Sequence, residues 1–260
     1  MIYGLTVESI LTGALIFIRI SALMFALPFF GDEPIPVPVR ILLAVALAFG
    51  FSSRVPETWV GQVPNDAILF MFMVFKEVCI GLVVGFVGRL AFEGILMAAS
   101  IAGYQMGFGT ADLIAPGLTT SVSAFTAMHR GIMMLIFLSL NLHHIYLDGI
   151  IKTFELIPCG GILPSKELVP FFITMTGGIF RVAMQLSAPV IVALIFANCA
   201  LGLAARTVPQ LNVFTMSFPI GFFVGMMIYL ACIPFFPQWT TEYFTVSHNQ
   251  IIRTIQGLAP

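Results

Sequence analysis

The chain has 260 residues, of which 59% are apolar and only 9% charged, against about 25% charged in an average soluble domain. Eleven cations and twelve anions, net −1, cannot cover a globule of this size with polar surface, which excludes a soluble monomer, and they form no basic stripe for nucleic acid. With 26 Phe and a mean hydropathy of +1.05, disorder is excluded as well.

Six apolar stretches follow one another, at roughly 5–30, 39–53, 67–103, 122–147, 168–205 and 211–236. Their lengths and their Leu, Met and Ala content favour helices over barrel strands, which would alternate apolar and polar residues. The first stretch has no cation before Arg19, and Ala26-Leu27-Pro28 is a poor cleavage site. It therefore reads as a membrane-inserted, uncleaved segment and not as a signal peptide. The Pro-rich break 31–38 separates it from the second stretch, and Arg54 to Asp66 separates the second from the third.

The third stretch carries Lys76-Glu77, then Gly81, Gly85 and Gly88, then Arg89 and Glu93. On a helix, positions 77, 81, 85 and 88 share one face, giving a glycine groove beside a charged pair. Arg89 and Glu93 stand one turn apart and can satisfy each other. Gly81-x-x-x-Gly85 allows close approach of another backbone, as does Gly221-x-x-x-Gly225 in the sixth stretch. The groove serves either ordinary helix packing or contact with a transported substrate.

After it comes Gly103-Tyr104-Gln105-Met106-Gly107-Phe108-Gly109-Thr110-Ala111-Asp112, continuing to Pro116-Gly117. Glycine frees the backbone there, while Met and Phe supply bulky, adaptable apolar side chains. Such a segment is either a plain connecting loop or a seal that excludes water from a cavity.

In the fourth stretch, His143-His144 and His129 lack the acidic or thiol partners and the spacing of a metal site. Hydrogen bonding of Asn141 and His143 across helices is the expectation. The region 148–167, with Pro158-Cys159-Gly160-Gly161, reads as a break. Arg181 interrupts the fifth stretch, and beyond it Val182–Ala205 and Thr207–Thr241 are uncharged.

Among the charges inside apolar runs, six stand out: Arg19, Lys76, Glu77, Arg89, Glu93 and Arg181. Facing lipid, they would cost on the order of 18 kcal/mol. They are expected to face protein, water or the interface, within a larger polar-lined assembly. Counting cations outside six conventional spans gives Arg54, Lys152, Lys166 and Arg253 on one side and Arg40 and Arg206 on the other, too weak a bias to orient the chain. The four cysteines stand apart, without metal spacing, and no hydrolase, zinc-protease, P-loop or dinucleotide signature occurs. No cofactor, metal or enzymatic activity is expected.

Several runs taken together carry a resemblance. They are Glu77-Val78-Cys79-Ile80-Gly81-Leu82-Val83-Val84-Gly85-Phe86, Gly103-Tyr104-Gln105-Met106-Gly107, Asn141-Leu142-His143 and Asn198-Cys199-Ala200-Leu201-Gly202-Leu203. Arg206-Thr207-Val208-Pro209-Gln210-Leu211-Asn212-Val213-Phe214 and Phe218-Pro219 complete the set. The chain resembles the FliR family of type III export-gate proteins, flagellar members more closely than injectisome ones.

That resemblance implies an all-α membrane protein whose bent helical hairpins join a helical, pore-forming complex in the bacterial inner membrane, at the flagellar basal body. It implies FliP-like and FliQ-like partner subunits, FlhB-like and FlhA-like export proteins, and unfolded flagellar proteins as the cargo. It further implies a FliP-like part over about 1–165 and a FliQ-like hairpin and tail over about 166–260. The glycine-rich loop corresponds to the family's pore plug, which makes Tyr104, Gln105, Met106, Gly107, Phe108, Gly109, Thr110, Asp112 and Pro116 its closing elements. Many relatives place Asp directly before the loop proline, where this chain has Ala115. The competing reading is a secondary transporter for a small solute, with Arg19, Lys76/Glu77 and Arg89/Glu93 at a midplane site.

Overall fold

The computed structural model is built of helices, several of which begin or end at a residue suited to the task. The structure describes residues 7–27, 35–52, 66–108, 121–161, 168–208 and 212–258. Helix α1 is Val7–Ala26, α2 Val37–Ser52, α3 Ala67–Gln105, α4 Ser121–Ser139, α5 His143–Leu156, α6 Leu168–Thr207, α7 Val213–Cys232 and α8 Phe236–Leu258. The described residues hold no strand.

Asp66 opens α3 by accepting the Ile68 N–H at 2.9 Å, and Asn212 opens α7 by accepting that of Thr215 at 3.3 Å. Asn141 takes φ 55 between α4 and α5, a left-handed conformation that Asn tolerates better than most residues. Pro234 lies in the 3₁₀ turn Ile233–Phe235 that divides α7 from α8. Hydroxyls in these apolar helices are turned onto their own carbonyls four residues back: Thr12 on Glu8, Ser187 on Ala183, Thr254 on Gln250. These three hydroxyls are thereby satisfied within their own helices.

Among the described residues, four runs are long and apolar enough to cross a membrane: α1, α3, Phe172–Thr207, and Thr215–Gln256 through α7 and α8. A fifth arises if the pair Ala124–Ser139 and His143–Leu156 counts as one. This is an all-α membrane protein. At about 1.5 Å per residue, α3 (39 residues) and α6 (40 residues) are each about 60 Å long, roughly twice a 30 Å hydrocarbon core.

The helices differ from the six apolar stretches in three places. The fourth stretch stops at the turn after α4. Helix α5 then runs on to Leu156, through a region read from sequence as a break. Helix α8 occupies what read as a tail. Both missed helices carry charge on one side and bury the other: Tyr146, Gly149, Ile150, Thr153 and Phe154 on α5, and Phe244, Ser247, Ile251 and Ile255 on α8. Spacing of three and four, not overall hydropathy, marks them.

Two compact units divide the chain. The first comprises Met1–Ala91, Leu142–Met175 and Tyr243–Pro260; the second comprises Phe92–Asn141 and Thr176–Glu242. In the first, α2 leans on α1 through Ala44 and Ala48, and α8 seats Ile251 over Gly149 of α5. In the second, Met106 is fully buried against Gly225 of α7.

Candidate functional site

Two constellations gather the residues singled out from sequence. The first, in the first unit, is a buried charge node. Arg19 of α1 and Glu77 of α3 form a bidentate pair in which Nε donates to Oε2 and Nη2 to Oε1, the latter at 3.1 Å. Their side chains are 1% and 0% exposed. Arg19 Nη1 donates to the carbonyls of Thr153 (2.9 Å) and Ile157 (3.1 Å), capping the C-terminal end of α5 where a helix presents negative charge. The guanidinium also lies 4.6 Å from the Phe154 ring centroid.

Glu77 Oε1 accepts the Gly160 N–H at 2.9 Å, and Lys76 Nζ donates to the Gly160 carbonyl at 2.9 Å. Two consecutive side chains of α3 thus hold both polar groups of one residue. Gly160 sits at φ 72 against Met73, so both its backbone angle and its surroundings require glycine. Cys159 is buried beside the node. Burial first, and then the Glu77 charge, push its thiol up to about 12, with Arg19 pulling it back.

The glycine groove of α3 is filled by the chain itself. A Cβ on Gly81 would stand 2.5 Å from the Arg19 carbonyl oxygen, and one on Gly85 2.5 Å from Ala26 Cβ. At Gly88 it would meet Tyr146, whose hydroxyl donates to the Gly88 carbonyl at 3.2 Å. The groove is a packing seam for α1, not a channel wall. The sequence reading had paired charges that are neighbours along the chain. The structure also joins Arg19 to Glu77 across 58 positions, and this pair is satisfied inside the chain without a neighbouring subunit. Arg89 and Glu93 are half-buried on α3, and Arg181 is exposed on α6.

The second constellation, in the second unit, is the end of α3. The Phe108 N–H donates to the Gly103 carbonyl and the Gly107 N–H to that of Tyr104, both at 3.1 Å. With Gly107 at φ 90, this is a Schellman motif, which stops the helix and turns the chain sharply. A Cβ on Gly107 would also press on Phe218 at 2.9 Å. Met106 is held against Gly225, Phe108 is wedged between Phe125 and Phe222, and Tyr104 and Gln105 are exposed. Of the expected plug residues, Gly109, Thr110, Asp112 and Pro116 lie outside the described residues.

The remaining motif residues are dispersed. Asn198, Gly202 and Arg206 are exposed along α6, and Pro219 is exposed within α7. Pro209 and Gln210 lie outside the described residues. Asn141 serves its turn, and His143 Nδ1 has no hydrogen-bond partner among the described residues. Sequence reasoning missed the carbonyls of Thr153 and Ile157, the Gly160 clasp, and a buried pair between His129 and Tyr229 at 2.8 Å.

Comparison with known proteins bears on the chain almost end to end. The family model described as "Bacterial export proteins, family 1" matches residues 10–246. The flagellar biosynthetic protein FliR of Bacillus subtilis (strain 168) is 33% identical over 247 residues, covering 94% of this chain and 92% of the relative. FliR of Escherichia coli (strain K12) is 27% identical over 242 residues, covering 93% and 91%. The Yop proteins translocation protein T of Yersinia pestis is 31% identical over 157 residues, covering 60% of each chain.

Proposed function

Because this chain belongs to the bacterial export proteins, family 1, we propose that it is a subunit of the flagellar type III protein-export gate. It forms part of the pore through which unfolded flagellar proteins cross the bacterial inner membrane at the basal body. The observation that carries this reading is the likeness to FliR proteins along nearly the whole chain. The most apolar window of α6 supports it, since only 11% of that window is buried inside the chain and the helix is twice as long as lipid can cover. Protein neighbours supply the missing cover.

The neighbours in this reading are FliP-like and FliQ-like subunits, with FlhB-like and FlhA-like proteins at the entrance. The part over about 1–165 takes the FliP-like place and the rest the FliQ-like place. The segment beyond Gly107 acts as the plug. A pore wide enough for an unfolded chain leaks ions unless closed between substrates, and Met and Phe side chains close it without fixed polar geometry. The chain works by conduction and closure, not by catalysis.

A small-solute transporter is not supported. Its site needs open charges at the midplane, whereas Arg19 and Glu77 are consumed by each other and by the end of α5. Purification in mild detergent tests the export reading. Distinct FliP-like and FliQ-like chains co-purifying in fixed ratio uphold it, and a homogeneous complex that binds a solute overturns it.

A further inference from the structure

The second unit holds a weak point in a long helical run and a polar side chain placed to brace it. Helix α7, the turn Ile233–Phe235 and α8 form one apolar run from Thr215 to Gln256. Pro234 and Pro237 have no N–H, so the carbonyls of Leu230 and Ile233 cannot be met from four residues on. They are met from three residues on instead, by the N–H groups of Ile233 and Phe236. Those tighter bonds make the 3₁₀ step, and such a step in the middle of a helix marks a hinge or local strain.

One side chain of α4 reaches both flanks of the step. His129 Nδ1 and Tyr229 Oη, on the α7 side, share a hydrogen bond of 2.8 Å. The His129 ring also meets Phe236, the first residue of α8, edge-on with centroids 5.6 Å apart. Tyr229 and Phe236 stand seven residues apart, about two turns, so they share a face, and their own centroids are 5.7 Å apart. All three residues are buried.

Ring contacts alone tolerate sliding and rotation. The hydrogen bond does not: it fixes where the far end of the Tyr229 ring stands, and so the surface on which Phe236 rests. Phe at 129 would fill the same space with no polar atom to bury. As it is, His129 Nε2 and, one turn past Phe236, Thr240 Oγ1 are buried without a hydrogen-bond partner among the described residues, which is unfavourable. An arrangement held by one bond and burdened by two unmet polar atoms lies close in free energy to a second one.

We infer that Ile233–Phe235 is a hinge and His129 its latch: the hydrogen bond to Tyr229 holds the start of α8 at its angle to α7, and breaking that bond frees the helix to bend at the step. The latch is built from this chain alone and does not depend on the export reading.

The test measures distances between spin labels in the full-length chain purified from its own membranes. The labels are carried by unnatural side chains, so the native cysteines stay untouched. One pair replaces Met227 and Glu242, exposed residues on either side of the step and about 22 Å apart at about 1.5 Å per residue. A control pair replaces Met216 and Leu230, both exposed on α7. Tyr229→Phe keeps the ring and removes only the hydroxyl. It is expected to raise the ratio of bent to unbent distances in the first pair about fivefold, the shift expected of one net hydrogen bond, and to leave the control pair unchanged. His129→Phe is expected to match it, and the double variant to do no more than either, because each loses the same bond. Pro234→Ala restores a backbone donor and is expected to return Tyr229→Phe to a single distance. If Tyr229→Phe lowers the melting temperature yet leaves the first pair at one distance, His129 is ordinary packing and the latch is overturned. If both pairs broaden alike, or Pro234→Ala fails to narrow the first, the hinge is overturned.

Discussion

Arg19 and Glu77 lie 58 positions apart, yet they share two hydrogen bonds in a site where neither side chain is more than 1% exposed. The pair joins α1 to α3, and Arg19 continues to the end of α5, so one guanidinium ties three helices together. Replacing one member leaves a buried charge alone, which costs about 3–5 kcal/mol. Arg19→Leu and Glu77→Leu are each expected to lower the amount of chain in membranes and its melting temperature in detergent sharply. The double variant should recover part of the loss, though not all, because the carbonyls of Thr153 and Ile157 and the Gly160 N–H still lose their partners. A double variant as damaged as the sum of the singles would contradict the pairing.

The seam beside this pair is sensitive to single methyl groups. Gly81→Ala places a Cβ 2.5 Å from a backbone oxygen that cannot move without shifting α1, whereas nothing lies within 4 Å of a Cβ on Gly177. Gly81→Ala is expected to destabilise by about 1–3 kcal/mol, while Gly177→Ala is expected to be neutral or slightly stabilising. Thermal melting of the purified variants distinguishes them.

Much of this was legible in the residues and some was not. The apolar runs mark α1, α2, α3, α6 and α7 because their hydropathy is high on all sides. Helices α5 and α8 escaped because Asp148, Lys152, Glu155, Glu242 and Arg253 dilute it, while the buried residues recur at three and four. Gly81-x-x-x-Gly85 announces a close approach, but nothing in one sequence says that α1 makes it. Arg19 and Glu77 were each conspicuous as lone charges in apolar runs. Their pairing is a property of the seam, and adjacency along the chain pointed elsewhere. In Gly103–Phe108, composition suggested a loop, whereas five of these residues continue α3 or close it and Gly107 is spent on the turn.

Gly107 is also exacting about what may replace it. Any other residue at φ 90 carries a strain of about 1–2 kcal/mol, and a Cβ there presses on Phe218. Gly107→Ala is expected to misdirect the loop and raise ion leak without changing the amount of complex. Deleting Gly107–Gly117 is expected to raise leak further while assembly is largely kept. Membrane conductance of cells carrying each variant is the measurement, and unchanged conductance in the deletion counts against a plug.

Thiol labelling reads the surroundings of two cysteines at once. Cys159 is buried, with its thiol pushed up to about 12, so almost no thiolate exists at neutral pH; Cys199 is exposed on α6. In the isolated chain a maleimide is expected to modify Cys199 and spare Cys159. In the assembled complex Cys199 should become protected as partners cover α6. Equal labelling in both states would mean that face stays bare.

The central claim is tested most directly by secretion. In a strain from which this chain has been removed, flagellar hook and filament proteins are expected to disappear from the culture fluid while still being made in the cell. Restoring the chain should bring them back. Undiminished secretion without it would contradict its place in the export gate.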